Sequence, residues 1–128
     1  MDIKFKELKD ILNSVNALAQ KELPIKTAFK LAKLKKDLSL QGEFYDEKYR
    51  SIIKKYARTD ENGQYVTSDN GQTVEIVPEK MDALNRELSE LNNLDLGLTN
   101  PPTFKIEDFE GVNISSDDLL GLISFMEE

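Results

Sequence analysis

Between Pro24 and Ala57 the apolar side chains Ala28, Leu31, Leu38, Tyr45, Tyr49, Ile52 and Tyr56 recur at steps of three, four or seven residues. Those steps return to one side of a helix. Pro24 suits the first helical turn, where its missing N–H would have no partner anyway. Only Gly42 interrupts the segment. An unbroken helix over it would span about 50 Å at 1.5 Å per residue. A compact domain of this size needs less, so the segment is expected either to break near Ser39–Gly42 or to project toward a partner. Ahead of it, Phe5, Leu8, Leu12, Val15 and Ala19, widened by Ile11 and Leu18, predict an amphipathic helix from Phe5 to Lys21. Ile3 and Phe5 alternate with charge, so Met1 to Lys6 also reads as a short strand. Pro24 disfavours helix at Leu23, so the two helices are expected to form a helical hairpin or an L-shaped corner.

The pattern changes after Asp60-Glu61-Asn62-Gly63. Gln64 to Thr67 and Gln72 to Val77 read as strands, with Ser68-Asp69-Asn70-Gly71 as the turn of a β-hairpin, because Asn-Gly tolerates positive φ. Two acidic Gly turns invite a calcium reading. It fails on spacing, since the sixth and twelfth positions counted from Asp60 are Tyr65 and Gly71, not Gly and Glu. Pro78 then opens a short helix with Met81, Leu84, Leu88 and Leu91 as its seam. An irregular linker leads to a short strand over Thr103–Phe109. Ser115 or Ser116 caps a terminal helix whose inner face is Leu119, Leu120, Ile123 and Met126, broadened by Leu122 and Phe125. The expected fold is α+β and mostly helical: a helical hairpin with one long helix, a β-hairpin, a short helix, a short strand and a C-terminal helix.

Composition narrows the function. The 128 residues suggest a single domain over 1–128. No apolar run is long enough for a membrane span, and the N-terminus lacks the apolar stretch of a signal peptide. A soluble chain that stays where it is made is expected. Cysteine and histidine are both absent. Their absence excludes disulfides, the usual zinc sites, and Ser-His or Cys-His catalysis. Carboxylates, lysines and tyrosines remain, so an enzyme is the least favoured class, and no cofactor or metal is expected.

Charge is divided along the chain. Residues 1–58 hold 14 Lys and Arg against 8 Asp and Glu, and residues 59–128 hold 3 against 16, within a net charge of −7. The chain therefore divides into a basic helical part, 1–58, and an acidic hairpin-plus-helix part, 59–128. The simplest partner for the basic part is the acidic half of this chain or of a second copy. Lys26, Lys30 and Lys33 share a helix face and, with Arg50, form a candidate anion site. A solvated helix face is the plainer reading. Tyr45 and Tyr49 are candidate stacking residues, although aromatics at this spacing more often form core. An acidic chain with three arginines is a poor match for duplex binding, so nucleic acid is disfavoured as a partner.

Ala17-Leu18-Ala19-Gln20, Leu23-Pro24-Ile25-Lys26-Thr27-Ala28, Lys33-Leu34, and Lys55-Tyr56-Ala57 followed by Asp60-Glu61-Asn62-Gly63 resemble a family of small uncharacterised proteins of bacterial phages and prophages. The resemblance resumes at Glu87-Leu88 and from Ile114 to Phe125. It implies synthesis in an infected or lysogenic cell, hence the cytoplasm of the bacterial host, and carries over no catalytic residue. The expected function is a non-enzymatic binding protein acting by protein–protein contact, with inhibition of a host defence factor as one form. Asp108, Glu110, Asp117 and Asp118 are its candidate partner-binding residues, because an acidic surface can block a basic site on a target. One alternative is a virion-assembly or tail-chaperone protein in which the long helix supports a homo-oligomer. Another is a sponge for an anionic nucleotide held by Lys26, Lys30, Lys33 and Arg50 with Tyr45 or Tyr49.

Overall fold

The computed structural model describes residues 3–67 and 73–127. Helical turns account for 62% of them and β-bridge residues for 8%, and no sheet is present among them. The fold is therefore helical, and the expected α+β class is corrected. The α-helices are α1 (Leu8–Ala19), α2 (Ile25–Tyr56), α3 (Met81–Asn92) and α4 (Ser116–Leu120). Short 3-10 turns stand at Phe5–Glu7, Pro78–Lys80, Ile106–Phe109 and Ile123–Phe125. Helix α2 runs through Gly42 without a break. Among the described residues no helix is long and apolar enough to cross a membrane.

The chain forms two compact units, Met1–Glu43 with Asp95–Glu128, and Phe44–Leu94. The first unit is built around α1. Leu8, Ile11, Val15 and Leu18 return every three or four residues and are all buried. The same spacing buries Thr27, Leu31, Leu34 and Leu38 on α2. Where a strand was expected near the N-terminus, Lys4 makes one isolated bridge to Asp95, and the Leu96 N–H donates to the Ile3 carbonyl at 2.7 Å. The chain then turns, because the Glu7 carboxylate accepts the Lys4 N–H at 2.7 Å.

The expected strand over Thr103–Phe109 is reduced to Phe104, which makes one parallel bridge to Met126. Its N–H donates to Phe125 and its carbonyl accepts from Glu127. Beyond it the Asp108 carboxylate accepts the Lys105 N–H at 2.9 Å, which curls Ile106–Phe109 into a turn. Phe104 and Phe109 then stack with centroids 5.8 Å apart. The terminal helix is shorter than expected. Ser115 caps it by accepting the Asp118 N–H at 3.2 Å, but it stops at Gly121, and a 3-10 turn follows. That change of phase shifts the expected inner face: Leu122 and Phe125 are fully buried and Leu119 and Met126 half-buried, while Leu120 and Ile123 are 61% and 59% exposed.

The second unit contains Phe44–Tyr56 of α2, a looped segment and α3. Leu84 and Leu91 are the buried residues of α3. The Tyr45 hydroxyl donates to Asn92 Oδ1 at 2.7 Å, and Lys55 pairs with Glu87 at 2.9 Å, so α3 is tied to α2 at two levels. The expected β-hairpin does not form as a pair of strands. Thr67 and Val74 make one isolated bridge, while Ala57 bridges Ile76 and Thr59 bridges Tyr65. The segment after α2 shares the backbone groups of the two flanks: Glu75 donates to Val66 at 2.8 Å, while Arg58 donates to Glu75 at 2.7 Å and accepts from Val66 at 2.9 Å. The expected turn Ser68–Gly71 lies outside the described residues.

Candidate functional site

Within the first unit, α4 lies against α1. The contact is close because position 121 is glycine. The Gly121 N–H donates to the Ser14 hydroxyl at 2.9 Å, which explains why Ser14 is buried. This approach opens a cleft of about 480 Å³ lined by Glu7, Asp10, Asp117 and Asp118, with Leu120 and Ser124 at its edge. Glu7 is held by the Lys4 backbone, and Lys21 Nζ stands 3.8 Å from Asp118. The Asp10 and Asp117 carboxylates have no hydrogen bond or ion pair with the described residues. Among the described residues no group of three or more carboxylates, His or Cys is spaced to share a metal ion. The cleft is thus an acidic recess with an exposed leucine at its side, suited to a cationic side chain.

Of the four acidic residues expected to bind a partner, Asp117 and Asp118 are brought together in this cleft. Asp108 lies elsewhere and is an internal tie. Its carboxylate accepts from Lys30 Nζ at 3.3 Å as well as from the Lys105 N–H, and its carbonyl accepts the Thr27 hydroxyl at 3.0 Å. The Lys105 N–H first, and then the Lys30 ammonium, hold the Asp108 carboxyl below the usual range against the opposing effect of burial. Glu110 is exposed and borders a separate groove of about 350 Å³ with Ile106, Glu107, Phe109, Val112 and Leu119.

The candidate anion set is also divided. Lys26, Lys30 and Lys33 line one groove of about 520 Å³ with Ile25, Phe29 and Pro102. Lys30 is committed there: its ammonium donates to the Thr103 carbonyl and Asp108 and lies 5.6 Å from the Phe104 ring centroid. Arg50 belongs to the second unit. Tyr45 and Tyr49 also lie in the second unit and stack on one another, with centroids 6.1 Å apart and planes at 23°. That separation is direct ring contact. Burial first, then the neighbouring Tyr49 and Asp46, raise the Tyr45 pKa, while its hydrogen bond to Asn92 opposes the shift.

The charge division of the sequence reappears as pairing inside each unit. Lys4–Asp95, Lys21–Asp118 and Lys30–Asp108 join the basic and acidic parts in the first unit, and Lys55–Glu87 and Arg58–Glu75 do so in the second. The sequence pattern did not place Ile25, Phe29 and Ile106 at the surface, where they are 83%, 69% and 78% exposed. A signal for the first two was present. At about 100° per residue, Ile25 and Phe29 fall opposite the Leu31, Leu34 and Leu38 stripe. Comparison of the chain with protein-family models, curated proteins and solved structures finds no match.

Proposed function

We propose that this chain is a non-enzymatic binding protein that acts by protein–protein contact, and that the acidic cleft between α1 and α4 receives a lysine or arginine of its partner. The observation that carries this reading is the convergence of Asp10 and Asp117, neither paired with a described residue, beside the exposed Leu120. A recess lined by carboxylates attracts a cation, and an adjacent aliphatic side chain supplies the apolar contact that a charged recess lacks. The resemblance to phage and prophage proteins supports a partner met in the bacterial cytoplasm, a host defence factor being one such target. An acidic recess of this kind would compete with the nucleic acid or nucleotide that a basic target site normally holds.

The test begins with affinity capture by the tagged full chain from bacterial lysate, followed by mass spectrometry. A protein recovered at near-equal stoichiometry is then titrated against the wild type and the Asp10→Asn/Asp117→Asn/Asp118→Asn variant. Weakened binding by a variant with an unchanged circular dichroism spectrum supports the cleft. Unchanged affinity overturns it.

A further inference from the structure

Two apolar grooves of opposite charge lie on the first unit. The basic one is walled by Ile25, Phe29 and Pro102 and bordered by Lys26 and Lys33. The acidic one is walled by Phe109, Val112, Ile114 and Leu119 and bordered by Glu107 and Glu110, with Ile106 at its mouth. They are neighbours because the turn Ile106–Phe109 is fastened to the first turns of α2. The Thr27 hydroxyl and Lys30 ammonium both bind Asp108 in the middle of that turn. Thr27 is itself buried, which anchors the tie. The same tie turns Ile25 and Phe29 outward on α2 and Ile106 outward on the 3-10 turn.

We infer that the two grooves belong to one surface and that a second copy of this chain covers it, with the basic groove of each copy meeting the acidic groove of the other. Charge complementarity selects this occupant. Lys26 and Lys33 on one copy face Glu107 and Glu110 on its mate, and the exposed Ile106 enters beside Ile25 and Phe29. Because both grooves belong to one surface, a two-fold axis makes every contact twice and closes the assembly as a dimer. Three large apolar side chains per copy leave water in the same step, which gives the pairing its driving force. The acidic cleft between α1 and α4 has a separate lining and is not needed for this contact.

The measurement is molar mass by light scattering and sedimentation over micromolar to near-millimolar concentrations of the full chain. The mass should rise from 14.6 kDa toward twice that value. Lys26→Glu/Lys33→Glu should raise the dissociation constant at least about tenfold, because like charges then face each other. Glu107→Lys/Glu110→Lys should do the same. An equimolar mixture of these two variants should form a heterodimer, since both charge contacts become attractive again. The four charged residues, with Phe29 and Ile106, are all exposed, and the folded state is checked by circular dichroism. Phe29→Asp gives a second, charge-independent disruption. A mass of 14.6 kDa at every concentration overturns the inference, as does unaltered association of the charge-reversed variants. Wild-type association that persists in Asp10→Asn/Asp117→Asn separates this surface from the proposed partner cleft.

Discussion

Gly121 donates its backbone N–H to the Ser14 hydroxyl at 2.9 Å, and a methyl group on Gly121 would stand 2.4 Å from the Asp10 carbonyl oxygen. The obstacle is helix backbone, which has little room to move. The Gly121→Ala variant should therefore lose about 1–3 kcal/mol of stability through overpacking. Urea unfolding measures the loss. Stability equal to that of the wild type would show that α1 and α4 separate without cost.

Gly42 is the opposite case. It lies inside α2, its φ is not positive, and a Cβ there meets only Leu8 Cδ2 at 3.9 Å, an ordinary contact. Alanine keeps the helix and restricts the unfolded chain. Gly42→Ala should raise stability by about 0.5–1 kcal/mol. A lower melting temperature would mean that the helix bends at this residue in solution.

Acid should weaken both units. Asp108 and Glu87 are each held below their ordinary values of 3.8 and 4.5, Asp108 chiefly by the Lys105 N–H and Glu87 chiefly by the Tyr56 hydroxyl and then Lys55. A depressed folded-state pKa contributes stability that is complete above the unfolded value and is lost as pH falls through the folded one. Melting temperature should therefore fall more steeply below pH 4.5 in the wild type than in Asp108→Asn or Glu87→Gln. Parallel pH profiles in all three proteins would remove these carboxyls from the acid response.

The Tyr45 hydroxyl, half-buried and bonded to Asn92 at 2.7 Å, fixes one end of α3 against α2. Tyr45→Phe should cost about 1 kcal/mol, the net worth of one hydrogen bond. Asn92→Ala should cost a similar amount, and the double variant should cost less than the sum. Additive losses would show that the two side chains do not interact in solution.

Helical character was legible because the spacing of Leu8, Ile11, Val15 and Leu18, or of Leu31 and Leu38, admits only one periodicity. The strands were not. Asn70-Gly71 marks a turn, but whether its flanks become a ladder depends on where Arg58 places its own N–H and carbonyl, which local pattern does not describe. The terminal helix failed for a related reason. Leu119 to Met126 has enough apolar residues for two faces, and the close approach of Gly121 to Ser14, far away in sequence, decides which one is buried. Of the candidate site, Asp117 and Asp118 were visible as an acidic pair. Their convergence with Asp10 was not, because it is a product of packing. Asp108 looked like a surface acid and is instead a fastening, since nothing in its immediate sequence reveals Thr27 and Lys30 waiting on another helix.

The same long-range closure sets an order of events during synthesis. Ser14 meets Gly121 across 107 positions, and Phe104 takes its backbone partners from Phe125 and Glu127. Until the segment that carries Gly121 is made, α1 has no α4 to lie against, and its leucines must wait for their cover. Folding of the first unit is therefore governed by the closing of a long loop.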